Sequence, residues 1–491
     1  MVGIITCLLL GVVITLLFLL YKFQTKHYGF FGEQNLSYIP PSFPFGSFTL
    51  SQMDIIETEQ RCYKELGRIY GRFDGCQPVL TIGERDLIDR IMFTDFNKFP
   101  NRRDMRVGDP VFDNTLFSLE GHDWKRVRNI VKTCFTPSNL KMMTTLLQEC
   151  CDKMVAKMTL SAQKGEVINC QEHFSIFVLH TIGKCAFGVK ITDNDPFVEH
   201  SNKLFNNSFK TIIIMVAPYL MKYFKIPILN NETIEFYNNV MSKVVEERKK
   251  MKKEKFNDFL QRMLEHEEQP QDSNNNSQDG LSHVEMLSQC VSFFLAGYEA
   301  TTALLSHCVY RLAMNQECQK KALEEIERVL PQCRPEEMSN CLGKLKYLEA
   351  VMKECSRICP PMARIERRAA EDYYFPEAAI HLKEGFLVSI PIFAIHHDPE
   401  YYPDPEVFNP DRFFYGERNA FKNIFFPFGS GGRECVGKNF VLMQVKMCLL
   451  NLLLNFTILP ASTTPEHLEI LEVRNVMKVG DVDVILQRRT C

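Results

Sequence analysis

The sequence predicts a mainly α-helical domain with a minor β region, carried behind one transmembrane helix. Three observations point there. The run VGIITCLLLGVVITLLFLLY, Val2 to Tyr21, holds no charged residue, and at ~1.5 Å per residue it reaches the ~30 Å of a bilayer's hydrocarbon core. Apolar residues from about Gln60 to Leu260 recur mainly at helical spacing, and a long helix opens at the S-x-x-E capping box of Ser282 and Glu285. β-type segments such as FLVSIPIF are short and confined to about Tyr374 to Pro391, which makes sheet the lesser part.

Lys22 and Lys26 follow the apolar run and no basic residue precedes it. By the positive-inside rule the N-terminus faces the lumen and everything beyond Lys22 the cytosol. A cleaved signal peptide is the alternative, but it has a shorter apolar core with a basic segment ahead of it. Residues 1–22 are therefore read as an anchor, and 23–48 as a semi-rigid linker whose IPPSFPFGSF (Ile39 to Phe48) cannot continue a helix. Residues 49–491 form one catalytic domain. Within it, TIIIMVAPYLMKYFKIPIL (Thr211 to Leu229) is broken by Pro218 and Pro227, and is either a buried helix pair or a patch that dips into the membrane surface. RKKMKKEK (Arg248 to Lys255) reads as a solvated helix face, and PQDSNNNSQDG (Pro270 to Gly280) as a polar loop. The helix that opens at Ser282 runs to about Met314, ~50 Å at helical rise.

Composition excludes several functions. With 491 residues, 45% hydrophobic, and a net charge of −3, nothing favours a nucleic-acid partner. The 18 cysteines show no repeating CxxC or CxxH, so a zinc ribbon or a disulfide framework would need unusual long-range pairing. They read as small buried hydrophobes, reduced in the cytosol, and this includes Cys150 with Cys151 and Cys355 with Cys359. No G-x-G-x-x-G after a strand marks a nicotinamide or flavin site.

One cysteine stands apart. In FFPFGSGGRECVGKNF, Phe428, Gly431, Arg433, Cys435 and Gly437 fit F-x-x-G-x-R-x-C-x-G. The glycines let the backbone fold tightly and a flat ligand approach. A buried helix begins near Lys438, and its amides and dipole favour an anionic sulfur. Such a thiolate suits the proximal ligand of a haem iron. With Glu354 and Arg357 of KECSR, Arg412 of NPDRF, and Trp124 and Arg128 of HDWKRVR, the chain resembles the cytochrome P450 superfamily from the anchor almost to the C-terminus. FPNRR, PPMARIER, AIHHDPEYY and PFGSGGRECVG are most similar to the drug and steroid oxidising group, family three A, and its relative thromboxane synthase.

The resemblance implies the P450 fold, a long central helix over the haem with small β-sheets, and haem b ligated by Cys435. It implies that Arg102, Trp124, Arg128, Arg364 and Arg433 hold the propionates, that Phe428, Gly431 and Gly437 shape the loop, and that Glu354, Arg357 and Arg412 form a buried structural network. AGYEATTALL (Ala296 to Leu305) resembles the A/G-G-x-D/E-T element of the oxygen side. Ala296 and Gly297 make room, Glu299 delivers protons, and an alcohol on the next residue assists O–O cleavage. That next residue is Ala300, and Thr301 is ~100° out of position in a regular helix.

Three readings stay open. A bulge brings Thr301 into place; a substrate hydroxyl or ordered water supplies the relay; or the enzyme is a peroxide isomerase or dehydratase of the thromboxane-synthase type. The leading reading is a monooxygenase that inserts one oxygen of dioxygen into a steroid, fatty acid or xenobiotic. Its electrons come from NADPH through a reductase, with cytochrome b5 as a second donor, at the endoplasmic reticulum membrane. A non-catalytic haem protein that binds or senses a ligand is a further alternative.

Overall fold

Capping chemistry, turn glycines and buried aromatic rings set most of the boundaries in the computed structural model, which describes residues 2–47, 55–192, 195–203, 222–226, 230–251, 256, 258–267, 280–334, 337–416, 420–473 and 475–489. Its helices are α1 (Val2–Thr25), α2 (Ile55–Leu66), α3 (Arg85–Asp89), α4 (Gly121–Thr133), α5 (Pro137–Lys164), α6 (Cys170–Phe187), α7 (Pro196–Lys203) and α8 (Asn231–Lys250). They continue with α9 (Phe259–Glu265), α10 (His283–Met314), α11 (Gln316–Val329), α12 (Met338–Leu342), α13 (Lys346–Ile358), α14 (Ile392–His396), α15 (Asp411–Phe414) and α16 (Lys438–Asn455). The strands are β1 (Ile69–Asp74), β2 (Gln77–Ile82), β3 (Ile168–Asn169), β4 (Ile365–Arg368), β5 (Tyr373–Phe375), β6 (Ile380–Leu382), β7 (Leu387–Ile390), β8 (Phe456–Pro460), β9 (Ile470–Val473), β10 (Val476–Val479) and β11 (Asp483–Arg488). Helix dominates and the sheets are small, as the sequence predicts.

The predicted cap opens α10. Ser282 Oγ accepts from the Glu285 amide at 3.2 Å, and the Glu285 carboxylate accepts from the Ser282 amide at 2.9 Å, so two amides without intrahelical partners are satisfied reciprocally. Arg126 of α4 pairs with the same carboxylate. Over its 32 residues, ~48 Å, α10 packs on α6, α8, α13, α16, β8 and β10. Phe294, Leu305 and Val309 put it at the centre of the helical core.

A second core lies under the sheet ordered β1-β2-β7-β4, in which β2 and β7 run parallel. The helical reading of the Gln60 to Leu260 stretch misses β1 and β2. Its alternation is masked because Arg72 points inward, 1% exposed, to Glu59, Asp74 and Glu366. The legible signal is Asp74-Gly75, with Gly75 at φ 59° in the connecting turn. Strands also extend past Pro391: β3-β11-β8 form one sheet and β9-β10 a hairpin beside α10.

The linker is packed against the domain. Phe30 and Phe31 are buried with Phe73, Leu80 and Val388, and Phe31 lies where any side chain at Gly71 would collide with its ring. Ile39 N donates to Gly71 O at 3.0 Å. Burial of aromatic surface, rather than proline stiffness, sets its path. Among the described residues, Gly3–Thr25 is the helix long and apolar enough to cross a membrane, and its apolar stretch is wholly unburied, with Gln24 near its end tucked against the domain. Most of Thr211 to Leu229, residues 252–255 of the basic run, residue 48 of the linker and residues 270–279 of the polar loop lie outside the described residues.

Cys333 and Cys341 form a disulfide between α11 and α12, a short-range bridge that the reading of the cysteines as reduced did not anticipate. Cys150, Cys151, Cys355 and Cys359 are free and buried, and burial pushes the thiols of Cys150 and Cys359 up to about 11 and about 12. Among the described residues no three His, Cys, Asp or Glu side chains gather to hold a metal ion.

Candidate functional site

The loop before α16 is shaped by two glycines in the left-handed region, Gly429 at φ 71° and Gly431 at φ 67°. A side chain at Gly431 would collide with the Met92 carbonyl oxygen, and one at Gly432 with the Phe96 ring. Glycine is required at both by close approach. Cys435 N donates to Phe428 O at 2.8 Å, closing the turn. Gly437 caps α16.

Cys435 keeps exposed side-chain surface, yet burial pushes its thiol above the ordinary range, with the Gly437 N–H and the charges of Arg102 and Arg128 pulling the other way. Among the described residues of the catalytic domain, Cys435 is the one exposed free cysteine.

Around the loop stand four arginines. Arg433 donates to Pro100 O (2.9 Å), Leu119 O (3.0 Å) and Asn101 Oδ1 (3.2 Å), and its guanidinium lies 3.9 Å from the Trp124 ring centroid. Arg128 donates to Glu434 O at 2.7 Å and Arg102 to Arg433 O at 3.3 Å. Arg367 of β4 donates to Glu366 O at 2.9 Å. Each bonds carbonyl or amide oxygen, and among the described residues none is paired with a carboxylate. Burial lowers the pKa of all four: Arg433 to about 8 and Arg102 to about 10, with neighbouring arginines adding to it, Arg367 to about 9 with Arg102 adding, and Arg128 below the ordinary guanidinium range.

Trp124 Nε1 and Arg367 Nε are buried without a partner. Enclosed cations and donors without counter-charge are costly, and they fit an anionic group such as a pair of carboxylates beside the thiol. The residues present therefore fit a haem. Trp124→Phe, which keeps the ring and removes the donor, is expected to speed loss of bound haem by ~10-fold, about one hydrogen bond to a charged group. Transfer of haem to apomyoglobin measures it.

Arg364 stands elsewhere. It lies 3.8 Å from both Glu59 and Glu366, in the ion cluster that also holds Arg72, Arg103 and Asp74. Three positions apart along an extended chain, Arg364 and Arg367 face opposite ways, and Arg367 joins the cation group. Sequence reading missed Arg367; the alternation of PPMARIERR on a strand was the available signal.

On α10 the helix is α throughout, without a bulge. The register shift that would move Thr301 is absent. A side chain at Gly297 would approach Ile182 of α6 to 3.0 Å, and Thr301, one turn on, shares that face. Thr301 is 1% exposed and its Oγ1 has no partner. Thr302 Oγ1 donates to Tyr298 O at 2.9 Å. Ala296 is exposed and Ala300 partly so, making a small-residue face on α10. Glu299 Oε1 accepts from Lys478 Nζ at 2.7 Å.

Glu354 and Arg357 are both 0% exposed. Arg357 donates to the two carboxylate oxygens at 2.8 and 2.9 Å, to His396 O at 2.8 Å and to Pro405 O at 2.7 Å. Arg412 adds a bond to Glu354 at 3.0 Å. His396 Nε2 in turn accepts from Phe426 N at 3.4 Å, so the network reaches the start of the cysteine loop. The Glu325 carboxylate accepts from the Lys346, Tyr347 and Leu348 amides at 2.8 to 3.1 Å, which caps α13 and sets where Glu354 falls.

Comparison with known proteins places this arrangement. Residues 40–478 match the family model for cytochrome P450. The chain is 32% identical over 462 residues to cytochrome P450 3A14 of Cavia porcellus, covering 91% of this chain and 90% of the relative. It is 32% identical over 464 residues to cytochrome P450 3A13 of Mus musculus, with 92% and 90% covered. With cytochrome P450 3A5 of Homo sapiens it shares 30% over 460 residues, with 91% and 90% covered.

Proposed function

The chain belongs to the cytochrome P450 family and is a P450 monooxygenase, and on that premise we propose that Cys435 holds its haem and that it oxidises a lipophilic small molecule. The observation that carries this reading is the group of cations beside Cys435, Arg102, Arg128, Arg367 and Arg433, which among the described residues have no carboxylate partner, together with the unpartnered Trp124 Nε1 and Arg367 Nε. Haem, when bound there, supplies the activation of dioxygen, with electron donation from the thiolate assisting O–O cleavage.

The chain's own residues do the rest. The Gly437 N–H and the nearby arginines stabilise an anionic sulfur at Cys435. The four arginines and Trp124 orient the cofactor through its propionates, a place the resemblance offered to Arg364 and that we assign to Arg367. Ala296 and Ala300 leave room for substrate on the opposite side. Glu299 holds and moves the proton at its carboxylate. Electrons come from outside the chain, since no nicotinamide or flavin motif is present in it; we assign NADPH through a flavoprotein reductase, with cytochrome b5 as a second donor. α1 would tether both partners' meeting place to the endoplasmic reticulum membrane, and the substrate class is steroid, fatty acid or xenobiotic.

Ala300 favours a second reading, a peroxide isomerase. The two separate in one experiment. Haem-loaded protein with reductase, NADPH and isotopically labelled dioxygen is offered testosterone and lauric acid, with a lipid hydroperoxide in parallel. Label in a product, dependent on NADPH, is the expected result. Conversion of the hydroperoxide without NADPH, beside unlabelled testosterone and lauric acid, would make Ala300 the mark of an isomerase.

A further inference from the structure

Lys478 sits on β10, far in sequence from α10, yet its ammonium donates to Glu299 Oε1 at 2.7 Å. The side chains are 32% and 13% exposed, so the pair is partly enclosed and linked to accessible surface at the lysine end. The second carboxylate oxygen, Glu299 Oε2, is buried and without a partner. β10 is a firm platform. Met477 is 1% exposed and donates its N–H to Pro361 O at 3.0 Å, and Lys478 faces Leu471 across the β9–β10 hairpin.

Nearby hydroxyls are committed or turned away. Thr302 Oγ1 bonds Tyr298 O, Thr301 is buried on the α6 side, and residue 300 has none. An ammonium on one oxygen orients a carboxylate through a charge-assisted bond, leaving the other oxygen to work.

We propose that Lys478 is the positioning residue of the distal acid: it fixes Glu299 through Oε1 so that Oε2 takes up a proton from water and hands it on where residue 300 offers no hydroxyl. The proton accepted at Oε2 is the proton released, so Glu299 and Lys478 end each passage unchanged. The inference rests on the monooxygenase reading.

The test uses the full-length holoenzyme with reductase and whichever of testosterone and lauric acid it converts. Lys478→Met is expected to lower the share of NADPH electrons recovered in product at least fivefold, with hydrogen peroxide rising in step, while the Kd for imidazole stays within twofold. Lys478→Arg restores the share to within twofold of wild type. Glu299→Gln with Lys478→Met is no worse than Glu299→Gln alone. Urea midpoints of the four proteins of that cycle are expected to be non-additive, an independent measure of the pair. Wild-type electron recovery in Lys478→Met, or additive effects on both recovery and urea midpoint, overturns the proposal. Failure of the wild-type enzyme to label any product sinks the monooxygenase reading instead, and the urea cycle still decides whether the pair is made.

Discussion

Cys435→Ala is expected to abolish turnover, by ~10³-fold or more, the scale on which loss of a group that takes part in the chemistry registers. It should also remove the red-shifted carbon monoxide band that marks a thiolate-ligated haem. The fold should survive. Within the loop Cys435 uses its backbone N–H, which donates to Phe428 O, and alanine keeps that bond. Cys134, Cys290, Cys355 and Cys448 do not take its place: they are buried with thiols raised by that burial. The measurement is the carbon monoxide difference spectrum of the reduced protein beside its circular dichroism. An unchanged band in folded Cys435→Ala would assign the ligand elsewhere.

Arg357→Ala is expected to cost ~3–5 kcal/mol of stability, the range for breaking a fully buried ion pair. The substitution strands the Glu354 carboxylate at 0% exposure with only Arg412 and the Asn409 amide. It also frees the His396 and Pro405 carbonyls. Because His396 bonds Phe426 at the head of the cysteine loop, haem loading should fall together with the urea midpoint. Lys320→Ala, which removes an exposed pair with Glu324, should change neither beyond error. A change under ~1 kcal/mol in Arg357→Ala would show that the network contributes little.

Features that depend on neighbours in sequence were legible. The Ser282–Glu285 box needs four consecutive residues, Glu354 and Arg357 meet within one helical turn, and the Phe428 to Gly437 loop carries its glycines beside the cysteine it presents. The α1 run is likewise local. Legibility stopped where a residue's role depends on a distant partner. Arg72 hides β1 because its acids come from α2, the end of β1 itself and β4. β11 finds β3 across 314 residues, as the Asn169 to Asp483 contact shows, so neither strand announces a sheet.

Arg364 and Arg367 look alike as letters in PPMARIERR, and only the extended path of the chain there sends one to Glu59 and Glu366 and the other to the cations around Cys435. The motif of α10 exposed the loss of a hydroxyl at Ala300, but the partner of Glu299 is Lys478, in a stretch with no motif. The physical reason is range. Caps, turns and helical pairs are written into a few successive residues, whereas the pairing of a buried charge depends on what the fold brings within ~3 Å of it, and residues from opposite ends of the chain meet there.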